Sequence, residues 1–441
     1  MDEITAEINP LINSLKGEIT APGSKSYSHR AFIAASLAEG ISVIKNPLTS
    51  GDAEITINNL RALGVKIIQS SENTYIVKHD KDSFKKPNHI LDCGNSGTTI
   101  RIFCALSLII KGGLILTGDF LKLKRPIIPL LNALESLGAK CNFSEKNIKI
   151  KRKKFGCKKV LIPGNVTSQF ITALLIICPL LTCKGRDFIE IELTTPLVSA
   201  PFVKVTLDVL NTFGINIQAN FEKGNFYITN EQNYRAQSYD IPGDYSSSAF
   251  IIAAAVLSNK PSKVIINNLS TDSTQGDKKI IKILKEMGAN IEVDESKKQV
   301  IVSGDLSAHP LQGMEIDCNE IPDLFPILSV VGAFAKGKTV LYNAKHLRLK
   351  ESDRISSMAR ELIKMGINVS EEDDGLTIYN CDEIKGTTFN HENDHRIAMA
   401  CTIAALFATS SSKIRNIDIV KDSYPSFLND LIKLGAQIKI R

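Results

Sequence analysis

The sequence lacks the patterns that mark several large classes of protein. Its nine cysteines include no C-x-x-C pair and no cysteine–histidine cluster at zinc spacing, so we expect reduced, buried thiols and neither disulfides nor a bound metal. The apolar runs near 102–110 and 170–181 are too short or too broken to span a bilayer. Residues 1–10 carry acids and no apolar core, so we expect no signal peptide. These absences favour a soluble cytoplasmic protein.

An extreme charge is also missing. The 53 lysines and arginines exceed the 47 acidic residues by a net +6. This mild excess suits a small polyanionic substrate as well as it suits nucleic acid. The chain has 441 residues, which is long for one hydrophobic core, so we expect two domains.

The sequence does contain an internal repeat, present six times. A helix that ends in a glycine and leads into a β-branched strand recurs at intervals of 69 to 78 residues. We expect each glycine to end its helix in the left-handed conformation. The glycines are Gly64, Gly138, Gly214, Gly288, Gly366 and Gly435. A second helix, rich in Ala, Ile and Leu, begins once per repeat near Arg30, Thr98, Ser168, Ser247, Asp323 and Asp394.

Each repeat therefore reads β-α-β-α-β-β. Small residues on nearly all faces of the second helix indicate that it packs on several sides. We predict an α/β (α+β) fold of two domains with three repeats each, in which the helices are bundled inside and the sheets lie outside. The similar segments around Pro22–Gly23 and Pro242–Gly243 are interpreted as crossovers. The predicted domains are 24–242 and 1–23 plus 243–441, with the active site in the cleft between them.

The stretch from Pro22 to Arg30 is polar and cationic where the first buried helix begins. Ser26 or Ser28 is expected to cap this helix, while Lys25, Arg30 and the free backbone N–H groups point towards a common anion, for which phosphate is the first candidate. Taken alone, the stretch equally fits a capped core helix with two solvated cations.

Polar residues precede the other interior helices as well. If the helices of each domain are parallel, these residues line one face and suit a ligand with two or more phosphate or carboxylate groups. They are Asn95–Thr99 with Arg101, Thr167–Gln169, Asp244 with 246–248, Asp323, and Asp394–Arg396; the loops at 124–126, 198–201 and 350–354 add to them. For 350–354 the alternative is a helix first turn with a local ion pair, and 151–154 is interpreted as a solvated hairpin end.

In these motifs the chain resembles the 5-enolpyruvylshikimate-3-phosphate synthase family (3-phosphoshikimate 1-carboxyvinyltransferases). The resemblance covers essentially the whole chain. It is carried by Gly23–Ser26 with Arg30, Asn95–Thr98 with Arg101, Arg125-Pro126, Ser168–Phe170, Ile321–Asp323, Lys350–Arg354 and Asp394–Arg396. It implies transfer of the enolpyruvyl group of phosphoenolpyruvate to the 5-hydroxyl of shikimate 3-phosphate, with release of phosphate and without a metal or organic cofactor. It also implies the two-domain fold of three repeats each.

The same resemblance assigns roles to individual residues. It places shikimate 3-phosphate against Lys25, Ser26, Arg30, Thr167, Ser168, Gln169, Ser199, Asp323 and Lys350. It places phosphoenolpyruvate against Lys25, Asn95, Gly97, Arg125, Gln169, Arg354, His395 and Arg396. Asp323 matches the base that takes the 5-hydroxyl proton, and Glu351 and Lys25 are the candidate acids. The arginines would hold the substrate anions and keep the carboxylates ionised.

The chain departs from the family pattern at three positions. Phe202 stands where many members have tyrosine beside the shikimate ring, and His346 stands where some have an asparagine that contacts the shikimate phosphate. Near the C-terminus Asp422, preceded by Lys421, occupies a position where many members have lysine. We therefore assign neither Lys421 nor Asp422 to phosphoenolpyruvate.

Two other functions stay open. The enolpyruvyl transferase acting on UDP-N-acetylglucosamine shares the fold but uses a reactive cysteine on a mobile loop and a Lys-Asn pair, and here Cys141 and Cys157 are the only loose matches to that cysteine. A non-enzymatic polyanion- or RNA-binding module would use the basic residues but would be repelled by Asp323, Glu351 and Asp394. We expect small-molecule substrates, no nucleic-acid or membrane partner, and a monomer.

Overall fold

The computed structural model describes residues 4–80, 84–153, 159–182 and 188–441. Its strands are β1 (Ala6–Ile8), β2 (Lys16–Thr20), β3 (Gly40–Lys45), β4 (Lys66–Ser71), β5 (Thr74–His79), β6 (Leu91–Asp92), β7 (Leu114–Thr117), β8 (Ala139–Phe143), β9 (Ile148–Arg152), β10 (Val160–Ile162), β11 (Phe188–Leu193), β12 (Ile217–Asn220), β13 (Asn225–Thr229), β14 (Ser238–Asp240), β15 (Lys263–Asn267), β16 (Asn290–Asp294), β17 (Gln299–Ser303), β18 (Glu315–Asp317), β19 (Lys338–Tyr342), β20 (Val369–Glu372), β21 (Gly375–Tyr379), β22 (Thr388–Phe389), β23 (Ser412–Ile414) and β24 (Ile438–Ile440).

The α-helices are α1 (Lys25–Leu37), α2 (Asp52–Ala62), α3 (Gly97–Leu106), α4 (Asp119–Lys122), α5 (Ile128–Ser136), α6 (Ser168–Ile177), α7 (Ala200–Thr212), α8 (Tyr245–Val256), α9 (Lys279–Glu286), α10 (Phe325–Phe334), α11 (Arg354–Lys364), α12 (His395–Leu406) and α13 (Phe427–Leu434). Short 3₁₀ turns occupy Cys178–Leu180, Gly276–Lys278, Lys345–Leu349 and Ile417–Asp422.

The strands of the described residues form six four-stranded sheets with one common arrangement. The sheets are β14-β3-β5-β4, β6-β7-β9-β8, β10-β11-β13-β12, β2-β15-β17-β16, β18-β19-β21-β20 and β22-β23-β1-β24. In each sheet the first two strands are parallel and the other pairs are antiparallel. A β-α-β-α-β-β repeat produces this pattern, because one helix crosses between parallel strands and the next leads into an antiparallel pair. The predicted six repeats and mixed α/β fold are confirmed.

Two strands are exchanged at the Pro-Gly pairs. β2 precedes α1 but pairs in parallel with β15, and β14 precedes α8 but pairs in parallel with β3. Added Cβ atoms on Gly23 and Gly243 would lie 2.0 Å from the carbonyl oxygens of Asn46 and Asn268, so this close approach of backbones requires glycine. The chain divides into two compact units, Gly23–Ile241 and the residues up to Pro22 with Pro242–Arg441. They are called below the 23–241 unit and the 242–441 unit.

The helix rich in small residues, which comes first along the chain in each repeat, is interior. Every residue of α8 and α12 is buried, and α1 is buried from Tyr27 to its end. Within the 23–241 unit α3 packs against α6, α6 against α7, and α7 against α1; within the 242–441 unit α8, α10 and α12 contact one another. Small side chains allow this close packing on several sides, as the sequence predicts.

The helix ends follow the repeat as well. All six repeat glycines have positive φ, between 84° and 114°, so the predicted left-handed helix stops are confirmed. The predicted cap of α1 is wrong. The helix begins at Lys25, which places Ser26 and Ser28 inside it, and the Ser28 hydroxyl instead donates to the carbonyl of Ser24. The cap position belongs to Ser24, whose side chain makes no cap bond.

No helix among the described residues combines the length and the apolar character that crossing a bilayer would require.

Candidate active site

Arg30, on α1, is a buried cation held by neutral groups. Its guanidinium donates to the hydroxyls of Thr206 (2.8 Å) and Thr172 (3.2 Å) and to the carbonyls of Ser26 and Phe202. No carboxylate of the described residues is paired with it. Burial lowers the pKa of Arg30 to about 10, which still leaves it charged at neutral pH. A buried charge without a counter-ion is costly, so this position favours the arrival of an anion.

Lys25, at the first position of α1, does have a counter-ion. Its Nζ lies 2.7 Å from the carboxylate of Asp52, the first residue of α2. Both side chains are about one-seventh exposed, at 14% and 15%. The pair orients the lysine at the helix start, but its partial exposure leaves the ammonium able to reach a ligand.

Gly97 opens α3 and is surrounded by polar side chains. A Cβ at this position would lie 2.7 Å from Arg101 Nη1 and 3.0 Å from both Arg125 Nη2 and Gln169 Oε1. Arg101 donates to Gln169, and the Gln169 amide donates to Thr98 at 3.1 Å. We call Asn95, Gly97, Arg101, Arg125 and Gln169 the Gly97 cluster. The missing side chain leaves two guanidiniums facing one small space at a helix N-terminus, which is a suitable place for an anion.

Asn95 and Phe120 hold Arg125 in this cluster. Arg125 Nη1 donates to the backbone and side-chain oxygens of Asn95, at 2.6 and 3.0 Å. Its guanidinium lies 5.1 Å from the ring centre of Phe120, and that of Arg101 lies 4.8 Å from the same centre. An aromatic ring close to two buried cations offsets part of their desolvation.

The hydroxyl residues predicted to bind shikimate 3-phosphate lie at two further helix starts of this unit. Thr167 caps α6 by accepting from the backbone N–H of Gln169 at 3.3 Å, and Ser168 follows it and is buried. Ser199 precedes α7 with a left-handed backbone (φ 55°). Its Oγ is buried and has no hydrogen-bond partner among the described residues. A buried hydroxyl of this kind is ready to donate to a ligand.

The predicted residues of the 242–441 unit converge on Arg354, the first residue of α11. Only 1% of its side chain is exposed, and it pairs with Asp323 (2.8 Å), Glu351 (3.0 Å) and Asp394 (2.8 Å). Arg396 reaches the other oxygen of Asp323 at 3.1 Å. We call these five residues the Arg354 cluster. The alternative interpretation of 350–354 as a purely local ion pair accounts only for Glu351. The other two partners of Arg354, Asp323 and Asp394, come from distant loops.

The charges of this cluster set the state of Asp323. Burial by itself would raise the pKa of the Asp323 carboxyl, but Arg396 and Arg354, aided by Lys350, outweigh it and hold the pKa below its ordinary value. The carboxylate is therefore ionised at neutral pH, as the sequence predicts. Arg396 is also buried, and its Nη1 has no partner within the described part of the chain. An unpaired guanidinium nitrogen beside an ionised base can hold a substrate anion there.

Two further predicted residues, His395 and Lys350, lie around this cluster, together with His346, one of the departures from the family pattern. His395 follows the cap residue Asp394 at the start of α12 and is buried. Lys350 directly follows the 3₁₀ turn that carries His346. Burial, followed by the charge of Lys350, lowers the pKa of His346 to about 3, so this histidine is neutral at physiological pH.

Sequence reasoning missed several residues that the fold brings to these places. Asp52 and Thr206 hold Lys25 and Arg30, and Arg101, quoted only as part of a motif, belongs to the Gly97 cluster. Asp277 is buried with one oxygen bonded to Ser246 (2.5 Å), and its other oxygen has no partner among the residues described. Burial and the charge of Asp323 raise its pKa. Only the Gln275-Gly276-Asp277 turn before α9 marks it in sequence, and that signal is weak.

The cysteines suggested by the rival transferase gain no support. Cys141 lies on β8, half-buried, and burial with the nearby Glu135 raises its pKa to about 12. A nucleophilic cysteine needs a lowered pKa. Cys157 lies outside the described residues, as does Lys154 of the segment 151–154.

Comparison with known proteins supports the family resemblance found in the sequence. The sequence pattern of the family EPSP synthase (3-phosphoshikimate 1-carboxyvinyltransferase) matches residues 11–431. The chain is 43% identical to a 3-phosphoshikimate 1-carboxyvinyltransferase of Methanococcus maripaludis strain C5, covering 97% of this chain and 98% of the relative. It is 44% identical to that of Methanocaldococcus jannaschii, over 97% of both chains.

The fold has solved counterparts too. An EPSP synthase structure from Acinetobacter baumannii superposes with a TM-score of 0.79 at 24% identity, covering 99% of this chain and 100% of the other. That likeness concerns the fold, while the sequence matches extend over nearly the whole length. The protein therefore belongs to the EPSP synthase (3-phosphoshikimate 1-carboxyvinyltransferase) family.

Proposed function

We propose that this protein transfers the enolpyruvyl group of phosphoenolpyruvate to the 5-hydroxyl of shikimate 3-phosphate and releases phosphate, a step in the biosynthesis of aromatic amino acids. The observation that carries the proposal is the ionised carboxylate of Asp323 between two guanidiniums, Arg354 at 2.8 Å and Arg396 at 3.1 Å. A reaction between an alcohol and two anionic substrates needs a base and bound cations at the same place.

The two substrates would divide the predicted residues between them. Shikimate 3-phosphate would contact Lys25, Ser26, Arg30, Thr167, Ser168, Gln169, Ser199, Asp323 and Lys350. Phosphoenolpyruvate would contact Lys25, Asn95, Gly97, Arg125, Gln169, Arg354, His395 and Arg396. The buried, counter-ion-free Arg30 supports a phosphate in the first set, and the Gly97 cluster supports a small anion in the second.

The proton transfers follow from the bonds that change. Asp323 takes the proton of the 5-hydroxyl as that oxygen bonds to C2 of phosphoenolpyruvate, and the methylene carbon gains a proton from Glu351 or Lys25. Because the product keeps the carbon–carbon double bond, the methyl group must lose a proton again as the C2–phosphate bond breaks. One group can therefore serve as acid in the first step and base in the second.

The ion pairs of Asp323 also explain how a carboxylate with a lowered pKa could act as a base. In the ligand-free protein Arg354 and Arg396 stabilise its negative charge. A bound phosphate or carboxylate would attract the same guanidiniums and weaken their hold on Asp323, so its proton affinity would rise when the substrates are present.

The first test is phosphate release from phosphoenolpyruvate and shikimate 3-phosphate in a metal-free assay, with UDP-N-acetylglucosamine run in parallel. We expect phosphate only with shikimate 3-phosphate. In the Asp323→Asn variant we expect a loss in kcat of about 10²–10⁴-fold with substrate binding retained. Asp317→Asn, an exposed carboxylate of the same unit, is the matched control. Release with the nucleotide sugar instead would identify the sister reaction, and near-full activity of Asp323→Asn would refute the base assignment.

We further propose that the enzyme acts in the cytoplasm as a monomer on small molecules, without a metal, organic cofactor, membrane or nucleic acid. The mild net charge of +6 and the carboxylates of the Arg354 cluster support this over RNA binding. An affinity for RNA that falls steeply with added salt would favour the polyanion-binding alternative.

A further inference from the structure

A chain of buried polar side chains connects three helices of the 23–241 unit. His29 Nδ1 lies 2.7 Å from the hydroxyl of Thr56, that hydroxyl lies 2.7 Å from Thr99, and Thr99 lies 2.7 Å from Ser96. The four side chains belong to α1, α2, α3 and the cap of α3, and none is more than 1% exposed. Four linked polar groups inside an apolar unit lower the stability of the fold unless their donors and acceptors are hydrogen-bonded.

The histidine sets the direction of the donors along this chain. Burial lowers the pKa of His29 to about 3, so one ring nitrogen carries a proton and the other does not. The buried Nε2 has no partner among the described residues. An unpaired acceptor is less costly than an unpaired N–H, which places the proton on Nδ1. His29 then donates to Thr56, Thr56 to Thr99, and Thr99 to Ser96.

The chain ends at the start of the Gly97 cluster. Ser96 is the cap residue of α3, and its hydroxyl also accepts the backbone N–H of Thr99 at 3.2 Å. Gly97 follows Ser96 directly. At the other end, His29 lies one turn from Lys25 on α1, and Thr56 lies one turn from Asp52 on α2, so the chain joins the elements that carry the Lys25–Asp52 pair to the first turn of α3.

We propose that His29 is a positioning residue for the phosphoenolpyruvate half of the site, acting through Thr56 and Thr99 on the Ser96 cap and so on the Gly97 cluster. The inference rests on the proposed function, because it uses phosphoenolpyruvate as the ligand of that cluster. None of the four side chains needs to touch the substrate. Their effect is to fix the N-terminus of α3 relative to α1 and α2.

A purely stabilising hydrogen-bond chain would behave differently from a positioning one. Loss of a stabilising bond lowers stability wherever it occurs in the unit and leaves the kinetic constants of the folded enzyme unchanged. Loss of a positioning bond weakens the ligand whose site moves, because small displacements of binding groups change affinity strongly. The affinities for the two substrates therefore separate the two roles.

The decisive variant is Thr56→Val, which keeps the side-chain shape but breaks the chain in the middle. We expect the KM for phosphoenolpyruvate to rise about five- to tenfold, with the KM for shikimate 3-phosphate within about twofold. Thr56→Ser, which retains the hydroxyl, should restore the KM for phosphoenolpyruvate. His29→Phe, cutting the chain at its origin, should raise the same constant.

The matched control is Ser107→Ala at the opposite end of α3. This buried hydroxyl donates to the carbonyl of Phe103 at 2.9 Å and belongs to no chain. We expect its kinetic constants to match those of the wild type, and thermal melts will show that each variant is folded. Unchanged constants in folded Thr56→Val, or an equal rise for both substrates, would overturn the inference. If the wild type released no phosphate from the two substrates, the proposed function itself would fail.

Discussion

Replacement of Arg354 by methionine is the sharpest test of the Arg354 cluster. The side chain is 1% exposed and pairs with three carboxylates at 2.8 to 3.0 Å. Burial alone would lower the pKa of Arg354, but the charges of Asp394, Glu351 and Asp323 outweigh it, so the pKa lies above its ordinary value. Methionine has similar length and packs well in a core, so the variant removes the charge with little change in volume.

The expected cost follows from the burial of the partners. Removing one member of a buried ion pair costs about 3–5 kcal/mol, because the other charge is left unpaired. Asp394, with a side chain that is 0% exposed, has no access to water and carries this full cost. Asp323 and Glu351 are 18% exposed, and Asp323 keeps Arg396, so they add less. We expect a loss of about 3–5 kcal/mol in the free energy of unfolding at pH 7.5.

The assay is chemical denaturation followed by circular dichroism, since the chain has no tryptophan. Arg348→Met is the matched control. Arg348 is 25% exposed and pairs with two carboxylates that are 36% and 38% exposed, so we expect a loss of about 1 kcal/mol. A loss below about 1 kcal/mol in Arg354→Met would refute the reasoning.

Two further predictions concern Gly97 and Asp277. Gly97→Ala would place a Cβ 2.7 Å from Arg101 Nη1. We expect a folded enzyme whose KM for phosphoenolpyruvate, measured by steady-state phosphate release, rises at least about tenfold. An unchanged KM would contradict this prediction. For Asp277, burial and the charges of Asp323 and Asp244 raise the pKa while Ser246 and Arg396 oppose them. The folded state then holds a proton that the unfolded state has lost, so wild-type stability falls as pH rises above about 4. The free energy of unfolding of Asp277→Asn should rise relative to that of the wild type by up to about 1.4 kcal/mol per pH unit between pH 4.5 and 6.5. A difference between the two proteins that stays constant over this range, measured by chemical denaturation, would exclude the pKa shift.

Much of the architecture could be predicted because its signals are local. A glycine that ends a helix, a β-branched strand after it and a helix of small residues each depend on a few neighbouring residues. The strand exchange was visible at the Pro-Gly pairs for the same reason, since the glycines permit the close approach to Asn46 and Asn268 that the crossovers require. The cap of α1 was predicted wrongly because several serines compete there and only the helix start decides among them.

The candidate site could be predicted in its residue types but not in its pairings. Arg30, Gly97, Asp323 and Arg354 lie in motifs that a reader of the sequence can find. Their partners lie far along the chain: Arg354 binds Asp394 across 40 positions, and Arg30 binds Thr206 across 176. No local pattern contains that information, because such pairs form only when separate repeats pack together.

The sequence by itself determined the six repeats and the mixed α/β fold, and it placed polar residues close to the starts of the interior helices. The reason is that backbone preferences and apolar periodicity depend on neighbouring residues. Tertiary structure alone decided which charges are buried and which group neutralises each of them. That difference separates Arg30, buried among neutral acceptors, from Lys25, paired with Asp52, although both lie on one helix. The reason is physical: the cost of a charge depends on the solvent and the partners around it, and packing, not sequence order, supplies both.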